Sequence, residues 1–148
     1  MLEIEKEKYI FFWSHKKIEG KLTKSCFSQW YDCSFVVNGI KYYTAEQYMM
    51  SQKALLFNDK ETNNIIMKEK DPRTYKKLGR LVKNFSPEIW DKNKFEIVVN
   101  GNIAKFSQNE DLKQFLLNTK DKILVEASPH DKIWGIGMDE NDKETIIY

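Results

Sequence analysis

The sequence predicts a helix-rich α+β protein, a single compact domain over residues 1–148 with about five helices and a small β-hairpin or sheet. Residues typical of helix starts, two of them followed by proline, recur along the chain. An Asn-Gly pair between two β-prone runs predicts the hairpin. With 148 residues, 41% of them hydrophobic and 14% aromatic, the chain is long and apolar enough to bury one core.

The β-elements of the first third are short. The aromatic run at residues 9–13 predicts a strand, and a polar connector containing Gly20 follows it. Asn38-Gly39 then separates the apolar residues 35–37 from residues 40–43. Because both turn residues tolerate a positive φ, this pair predicts a tight antiparallel hairpin.

The first helix begins at Thr44, in the stretch "TAEQYMMSQK". Thr44 and Gln47 have the T-x-x-Q spacing of a capping box, in which two side chains satisfy the first backbone N–H groups. By helical spacing Ala45, Tyr48 and Met49 lie on one side, and Glu46 lies on an adjoining stripe. The pattern predicts an amphipathic helix.

Later helix starts follow the same logic. Asp59 predicts a helix through residue 68, and Asp71-Pro72 and Ser86-Pro87 each place proline at the first helical position. The helix after Ser86 is predicted to be long, with a second hairpin at Asn100-Gly101 as the alternative. "NEDLKQFLLNT" predicts a short helix, "KILVEAS" a strand and "PHDKIWGIGMDEND" a loop before the terminal "TIIY".

Composition excludes several classes of protein. The net charge of +2 comes from 24 basic and 22 acidic residues scattered along the chain, unlike a dedicated nucleic-acid binder. No apolar run of about 18 residues and no signal peptide appear, so we expect no membrane partner and a cytoplasmic location. Cys26 and Cys33 are expected to be reduced thiols. His15 and His130 form no metal-binding motif with them.

The position of Glu46 in the first helical turn has two interpretations. Acidic residues are common in first turns, where the helix dipole stabilises them by about 0.3–1 kcal/mol. The same dipole favours the ionised form, which suits a general base or a group that stabilises a developing cation. Glu46 and Lys53 project the same way, two turns apart.

The loop "VEASPHDKIWGIGM" also has two readings. Its glycines permit close backbone approach, and Asp131 and Trp134 are three residues apart between Pro129 and Gly135. Loops with such a mixture often bind ligands. The alternative is a turn in which Asp131 bonds its own backbone and Trp134 fills the core.

Three blocks of sequence together resemble the NADAR family. They are "CFSQWYDCSFVVNGIKYYTAEQYMMSQKALLFND", "LGRLVKNFSPEIW" and "VEASPHDKIWGIGM", in the family's order over residues 9–138. The resemblance implies a mostly helical fold with small sheets and no metal or redox cofactor. It also implies hydrolysis of an N-glycosidic bond between a phosphorylated ribose and a base or amine.

The resemblance also implies roles for individual residues. Glu46, Asp131 and Trp90 take the catalytic positions. The substrate-binding positions fall on Phe27, Ser28, Tyr48, Lys53, Arg80, Trp134 and Gly135. Gln29 and Gln47 replace the family's usual asparagine and histidine, and the family's final helix has no match before Tyr148.

The residue types agree with glycoside chemistry. An oxocarbenium-like sugar needs negative charge and an activated water, often from two carboxylates, here Glu46 and Asp131 in undecided order. The predicted substrates are phosphoribosylamino-pyrimidine intermediates of riboflavin biosynthesis, with ribose 5-phosphate as product. Alternatives are hydrolysis of ADP-ribosylated bases or nucleotides, which would admit ADP-ribosylated nucleic acid as a partner, and ADP-ribose or nucleotide binding without turnover.

Overall fold

The computed structural model describes residues 7–137. The described part contains β1 (Tyr9–Phe12), a 3-10 helix (Lys24–Phe27), β2 (Phe35–Val37), β3 (Ile40–Tyr42), α1 (Ala45–Leu56), α2 (Lys60–Lys68), α3 (Pro72–Gly79), α4 (Pro87–Gln108), α5 (Glu110–Leu117) and β4 (Ile123–Glu126). This order confirms the predicted helix-rich α+β class. The described residues fall into two compact units, the first within residues 1–31 and 114–148 and the second within residues 32–113.

The first unit is built on a parallel pair of strands, β1 and β4, far apart in sequence. Phe11 lies opposite Val125 in this register, and both side chains are buried with Ala127 in one apolar cluster. The backbone N–H of Ala127 extends the pairing by donating to the carbonyl of Phe12 at 2.8 Å. This hydrogen bond therefore holds the start of the loop that follows β4.

The second unit contains the hairpin predicted at Asn38-Gly39. Strands β2 and β3 pair antiparallel, and the two turn residues have φ of 51° and 78°. Such positive angles are the reason for this residue pair. Phe35 and Tyr42, one from each strand, stack with ring centroids 5.9 Å apart and join the unit's core.

Helix α1 begins as the capping box predicts, with one difference. The hydroxyl of Thr44 accepts a bond from the backbone N–H of Gln47 at 3.0 Å. The amide oxygen of Gln47 accepts from the N–H of Tyr43 at 2.8 Å, one residue before the cap. Its Nε2 donates to the carbonyl of Ile66 at 3.2 Å, so the fully buried Gln47 also ties α1 to α2.

Helix α1 is more deeply buried than an amphipathic pattern implies. Every residue from 45 to 51 is buried, because α1 packs against α2, α3, α4 and β3. The two stripes predicted for this helix therefore both face protein over its first two turns. Near the helix end the burial is less complete, since Leu55 is 38% exposed.

The other helix starts are confirmed by their N-cap bonds. Asp59 accepts from the backbone N–H of Thr62 at 3.1 Å, and Asp71 from that of Arg73 at 3.0 Å. Ser86 accepts from the N–H of Ile89 at 3.4 Å. Each bond satisfies a backbone donor that has no partner within its own helix.

The alternative of a hairpin at Asn100-Gly101 is wrong, because α4 continues as a helix through both residues. Gly101 is buried against the ring of Tyr48. A Cβ at this position would lie 2.7 Å from the Cδ1 atom of Tyr48. The glycine therefore marks a close contact between α4 and α1.

Two predictions concern the ends of the chain. The end of the predicted loop "PHDKIWGIGMDEND" and the terminal "TIIY" lie outside residues 7–137. Between residues 7 and 137, none of the helices combines the length and apolar character needed to span a bilayer.

Candidate active site

Glu46 lies in the first turn of α1, directly inside the Thr44 cap. Its side chain is buried, with 7% of the residue exposed. The backbone N–H groups at this helix end produce a positive potential that favours a carboxylate. The local fold therefore places an acidic group where protein surrounds it and the helix terminus stabilises its charge.

Lys53, two turns further along α1, is partly buried in the same region. Burial lowers the pKa of its ammonium group, and the charge of Arg80 lowers this pKa further. The charge of Glu46 acts on the same ammonium in the opposite direction. The three predicted site residues Glu46, Lys53 and Arg80 are therefore close enough to interact electrostatically.

Arg80 reaches this position through a close approach between α1 and α3. It is the C-cap of α3, and its N–H donates to the carbonyls of Lys76 and Lys77 at 3.3 and 3.2 Å. Gly79, the last helical residue, lies against Met50 of α1 so closely that a Cβ would overlap the methionine sulfur. The glycine brings the exposed Arg80 beside the helix that carries Lys53.

Two aromatic rings lie beside the lysine of this cluster. The Lys53 Nζ lies 4.6 Å from the ring centroid of Phe85 and 5.5 Å from that of Trp90. Trp90 is a predicted catalytic residue, and 9% of it is exposed. The structure thus brings together Glu46, Lys53, Arg80 and Trp90 within the second unit.

Phe85 lies in this cluster, although it is not among the site residues predicted from the sequence. It immediately precedes the N-cap Ser86, and Trp90 is the fourth residue inside α4. These are the two positions of a hydrophobic staple, which fixes how a chain enters a helix. That spacing in "FSPEIW" was the available signal, and it places both rings at the entrance of α4.

Tyr48 belongs to a different face of α1. Its ring makes an edge contact with Tyr42, the centroids 5.0 Å apart, and packs against Phe35 and Ala104. Burial raises the pKa of its hydroxyl group. The structure gives Tyr48 a core position, and its predicted contact with substrate stays a prediction.

The loop after β4 belongs to the first unit and holds Asp131 in a turn. One carboxylate oxygen, Oδ1, accepts bonds from the backbone N–H groups of Ile133 at 2.9 Å and Trp134 at 3.0 Å. This is the self-bonding turn that was the alternative for this residue. The other oxygen, Oδ2, takes no part in the turn, so the same fold that orients the carboxylate leaves one oxygen for other bonds.

Gly135 allows the loop to fold back onto the end of β4. A Cβ there would lie 2.9 Å from the backbone oxygens of both Asp131 and Glu126. The N–H of the next residue, Ile136, donates to the same Glu126 oxygen at 3.0 Å. The glycine is required by backbone contact, and Trp134 beside it is only partly buried.

Phe27 and Ser28, predicted to bind substrate, are also in the first unit. The Phe27 ring lies between those of Phe12 and Phe115, at centroid distances of 5.8 and 5.5 Å. The Ser28 hydroxyl accepts from the backbone N–H of Trp30 at 3.2 Å. Both side chains are buried, and the contacts described above are with other residues of the first unit.

A cavity in the first unit includes none of these residues, and among the described residues none of them belongs to a metal-binding cluster. Within residues 7–137, no three His, Cys, Asp or Glu side chains are placed to hold a metal ion. A cavity of about 630 Å³ in the first unit is lined by Lys8, Asn118, Thr119, Lys120, Asp121, Lys122 and Ile123. It contains none of the predicted site residues.

Comparison with known proteins decides the family. Residues 11–146, which include parts of both compact units, match the NADAR domain. The chain belongs to the NADAR family. It is 49% identical over 140 residues to N-glycosidase R617 of Acanthamoeba polyphaga mimivirus, covering 91% of this chain and 81% of the relative. The NADAR fold is also that of the Escherichia coli protein YbiA, whose NMR structure matches with a TM-score of 0.73 at 27% identity, covering 86% of this chain and 71% of YbiA.

The name of a further relative refers to a biosynthetic pathway. The chain is 30% identical over 103 residues to the maize chloroplastic riboflavin biosynthesis protein PYRR, covering 65% of this chain and 16% of that protein. Curated relatives named N-glycosidases place the chain among the hydrolases of N-glycosyl bonds. Its substrate is a separate question.

Proposed function

We propose that this NADAR protein hydrolyses the N-glycosidic bond of phosphoribosylamino-pyrimidine intermediates of riboflavin biosynthesis and releases ribose 5-phosphate. One observation carries the proposal, namely the electrostatic cluster of Lys53, Arg80 and Glu46 beside Trp90. Burial lowers the pKa of Lys53 most, and repulsion by the nearby Arg80 lowers it further. A bound phosphate dianion would relieve the repulsion between these two cations. The name of the maize relative supports the choice of pathway.

The reaction needs three events at the glycosidic carbon. The bond from C1′ to nitrogen breaks, a water oxygen bonds to C1′, and a proton from that water ends on the leaving amine. Positive charge accumulates on the ribose as the bond breaks. A carboxylate such as that of Glu46, buried and supported by a helix N-terminus, suits the stabilisation of that charge.

Asp131 is the proposed second carboxylate. Its Oδ1 is held by two backbone N–H groups, so the orientation of Oδ2 is fixed by the loop. A fixed carboxylate oxygen suits either positioning of the water or stabilisation of the sugar. Substituting Asp131 and Glu46 one at a time distinguishes these two roles. Added azide, an external nucleophile, is expected to restore turnover only in the variant that has lost the water-orienting carboxylate.

Product analysis tests the proposal. The protein is incubated separately with a phosphoribosylamino-pyrimidine and with an ADP-ribosylated nucleotide, and the products are separated by chromatography. The expected result is release of ribose 5-phosphate from the first substrate. The dephosphorylated form of this substrate is expected to release no ribose. Release of ADP-ribose alone would assign the alternative substrate, and saturable ADP-ribose binding without any turnover would contradict both enzymatic functions.

A further inference from the structure

Phe85 contacts the ammonium group of a predicted site residue, in addition to its position in the hydrophobic staple at the start of α4. Its ring centroid is 4.6 Å from the Lys53 Nζ, nearer than that of Trp90 at 5.5 Å. Phe85 is 42% exposed, whereas a phenylalanine that serves only the core is usually buried. Packing in the core therefore does not account for the whole position of the Phe85 ring beside the Lys53 ammonium.

The position of the Phe85 ring is fixed from two directions. Phe85 precedes the N-cap of α4, whose hydrogen bond fixes the backbone there. Its ring also makes an edge contact with the buried Phe57, with centroids 5.4 Å apart and planes inclined by 68°. The ring is therefore a rigid partner for a flexible lysine.

An aromatic ring face can stabilise the charged form of Lys53 without repelling a phosphate. Burial and Arg80 both disfavour the charged amine, and Glu46 opposes them. A second carboxylate would keep the lysine charged, but it would also repel a phosphate. The face of a ring attracts an ammonium through its quadrupole and carries no net charge.

We propose that Phe85 is a positioning residue, whose ring holds the Lys53 ammonium beside Arg80 so that the two cations bind one phosphate together. This inference rests on the proposed function, because it deepens the role of the same cluster. Lysine has four rotatable side-chain bonds, and a fixed ring reduces the freedom lost when phosphate binds.

Two variants of Phe85 and one control separate the ring face from simple bulk. Phe85→Leu keeps an apolar side chain and removes the ring, whereas Phe85→Tyr keeps the ring. Phe95→Leu makes the same change in another exposed phenylalanine, 71% exposed on α4. Thermal unfolding of each variant checks that the protein is folded.

The first measurement is independent of activity. The pKa of Lys53 is followed by NMR in protein with 13C-labelled lysine, and the Lys53→Arg spectrum identifies its signal. Phe85→Leu is expected to raise the deprotonation constant of Lys53 by about 2- to 30-fold, the range of a cation–π contact. Phe85→Tyr and Phe95→Leu are expected to leave it unchanged, and an unchanged constant in Phe85→Leu would overturn the proposal.

The second measurement is the binding of ribose 5-phosphate and of ribose by calorimetry. Phe85→Leu is expected to weaken ribose 5-phosphate binding by about 2- to 30-fold and to leave ribose binding unaltered. Equal ribose 5-phosphate binding in wild type and Phe85→Leu would overturn the proposal, as would absence of wild-type binding. The protein could bind ribose 5-phosphate in a way that depends on Phe85 and still not hydrolyse the phosphoribosylamino-pyrimidine. That result would refute the proposed reaction and would still support the positioning role of Phe85.

Discussion

Replacing Gly101 by alanine tests whether packing or helix propensity decides stability in the middle of α4. In an exposed helix the substitution stabilises by about 0.5–1 kcal/mol, because glycine loses more backbone entropy on folding. Here the new Cβ would lie 2.7 Å from Cδ1 and 3.2 Å from Cε1 of the Tyr48 ring. Both distances are shorter than ordinary carbon–carbon contact, so the ring must move.

The Tyr48 ring has little room to move. Its centroid is 5.0 Å from that of Tyr42 and 6.0 Å from that of Phe35. Overpacking of this kind costs about 1–3 kcal/mol, which exceeds the gain in helix propensity. We therefore expect Gly101→Ala to reduce the free energy of unfolding by about 1 kcal/mol and to lower the melting temperature by about 2–4 °C.

Circular dichroism during thermal and urea unfolding measures this effect. Asn100→Ala is the matched control, since Asn100 is the exposed neighbour in the same helix and gains propensity without a new contact. In a Tyr48→Leu background, Gly101→Ala should lose most of its cost. If Gly101→Ala stabilises the protein as much as Asn100→Ala does, the close contact between α1 and α4 is refuted.

Two further predictions concern buried polar groups. Gln47→Met should reduce the free energy of unfolding by about 1–3 kcal/mol, because a backbone N–H and a buried carbonyl both lose their partner. Chemical denaturation checks it against Gln52→Met on the same helix, and equal losses would contradict it. Three hydrogen bonds lower the pKa of Asp59 from 3.8 to about 2, so its stabilisation is complete above about pH 4 and is lost as pH falls through 2. Acid unfolding followed by fluorescence should therefore be less steep across that range in Asp59→Asn, and superimposable curves would argue against this role.

The elements that could be predicted from sequence are those with local causes. The turn at Asn38-Gly39 needs positive φ, which those two residues adopt easily. The helices after Asp59 and Ser86 begin where a side-chain oxygen can meet a nearby backbone N–H. Cause and effect lie within four residues in each case, so no tertiary knowledge is needed.

The unpredicted features depend on partners distant in sequence. The Gln47 side chain bonds a carbonyl 19 residues away, and the depth of α1 follows from three helices packing around it. Asn100-Gly101 left a hairpin open as an alternative because the partner of Gly101, Tyr48, is on another element. Residue spacing describes one element at a time, whereas burial is a property of all of them.

The candidate site divides in the same way. The convergence of Lys53, Arg80 and Trp90 with Glu46 was expected from the family resemblance, since spacing alone related only Glu46 to Lys53. Phe85 was detectable from the staple spacing at the start of α4. Its partner was not, because the Lys53 ammonium reaches it from α1, 32 positions earlier in the chain.

The turnover of Glu46→Gln tests the central claim most directly. Glutamine keeps the size of the side chain and removes its charge, so at this buried position the lost dipole interaction should lower the free energy of unfolding by no more than about 2 kcal/mol. Release of ribose 5-phosphate from the phosphoribosylamino-pyrimidine should fall by orders of magnitude in a variant whose melting curve shows that it is folded. Unchanged turnover in a folded Glu46→Gln variant would contradict the account and return Glu46 to the role of an ordinary first-turn acid.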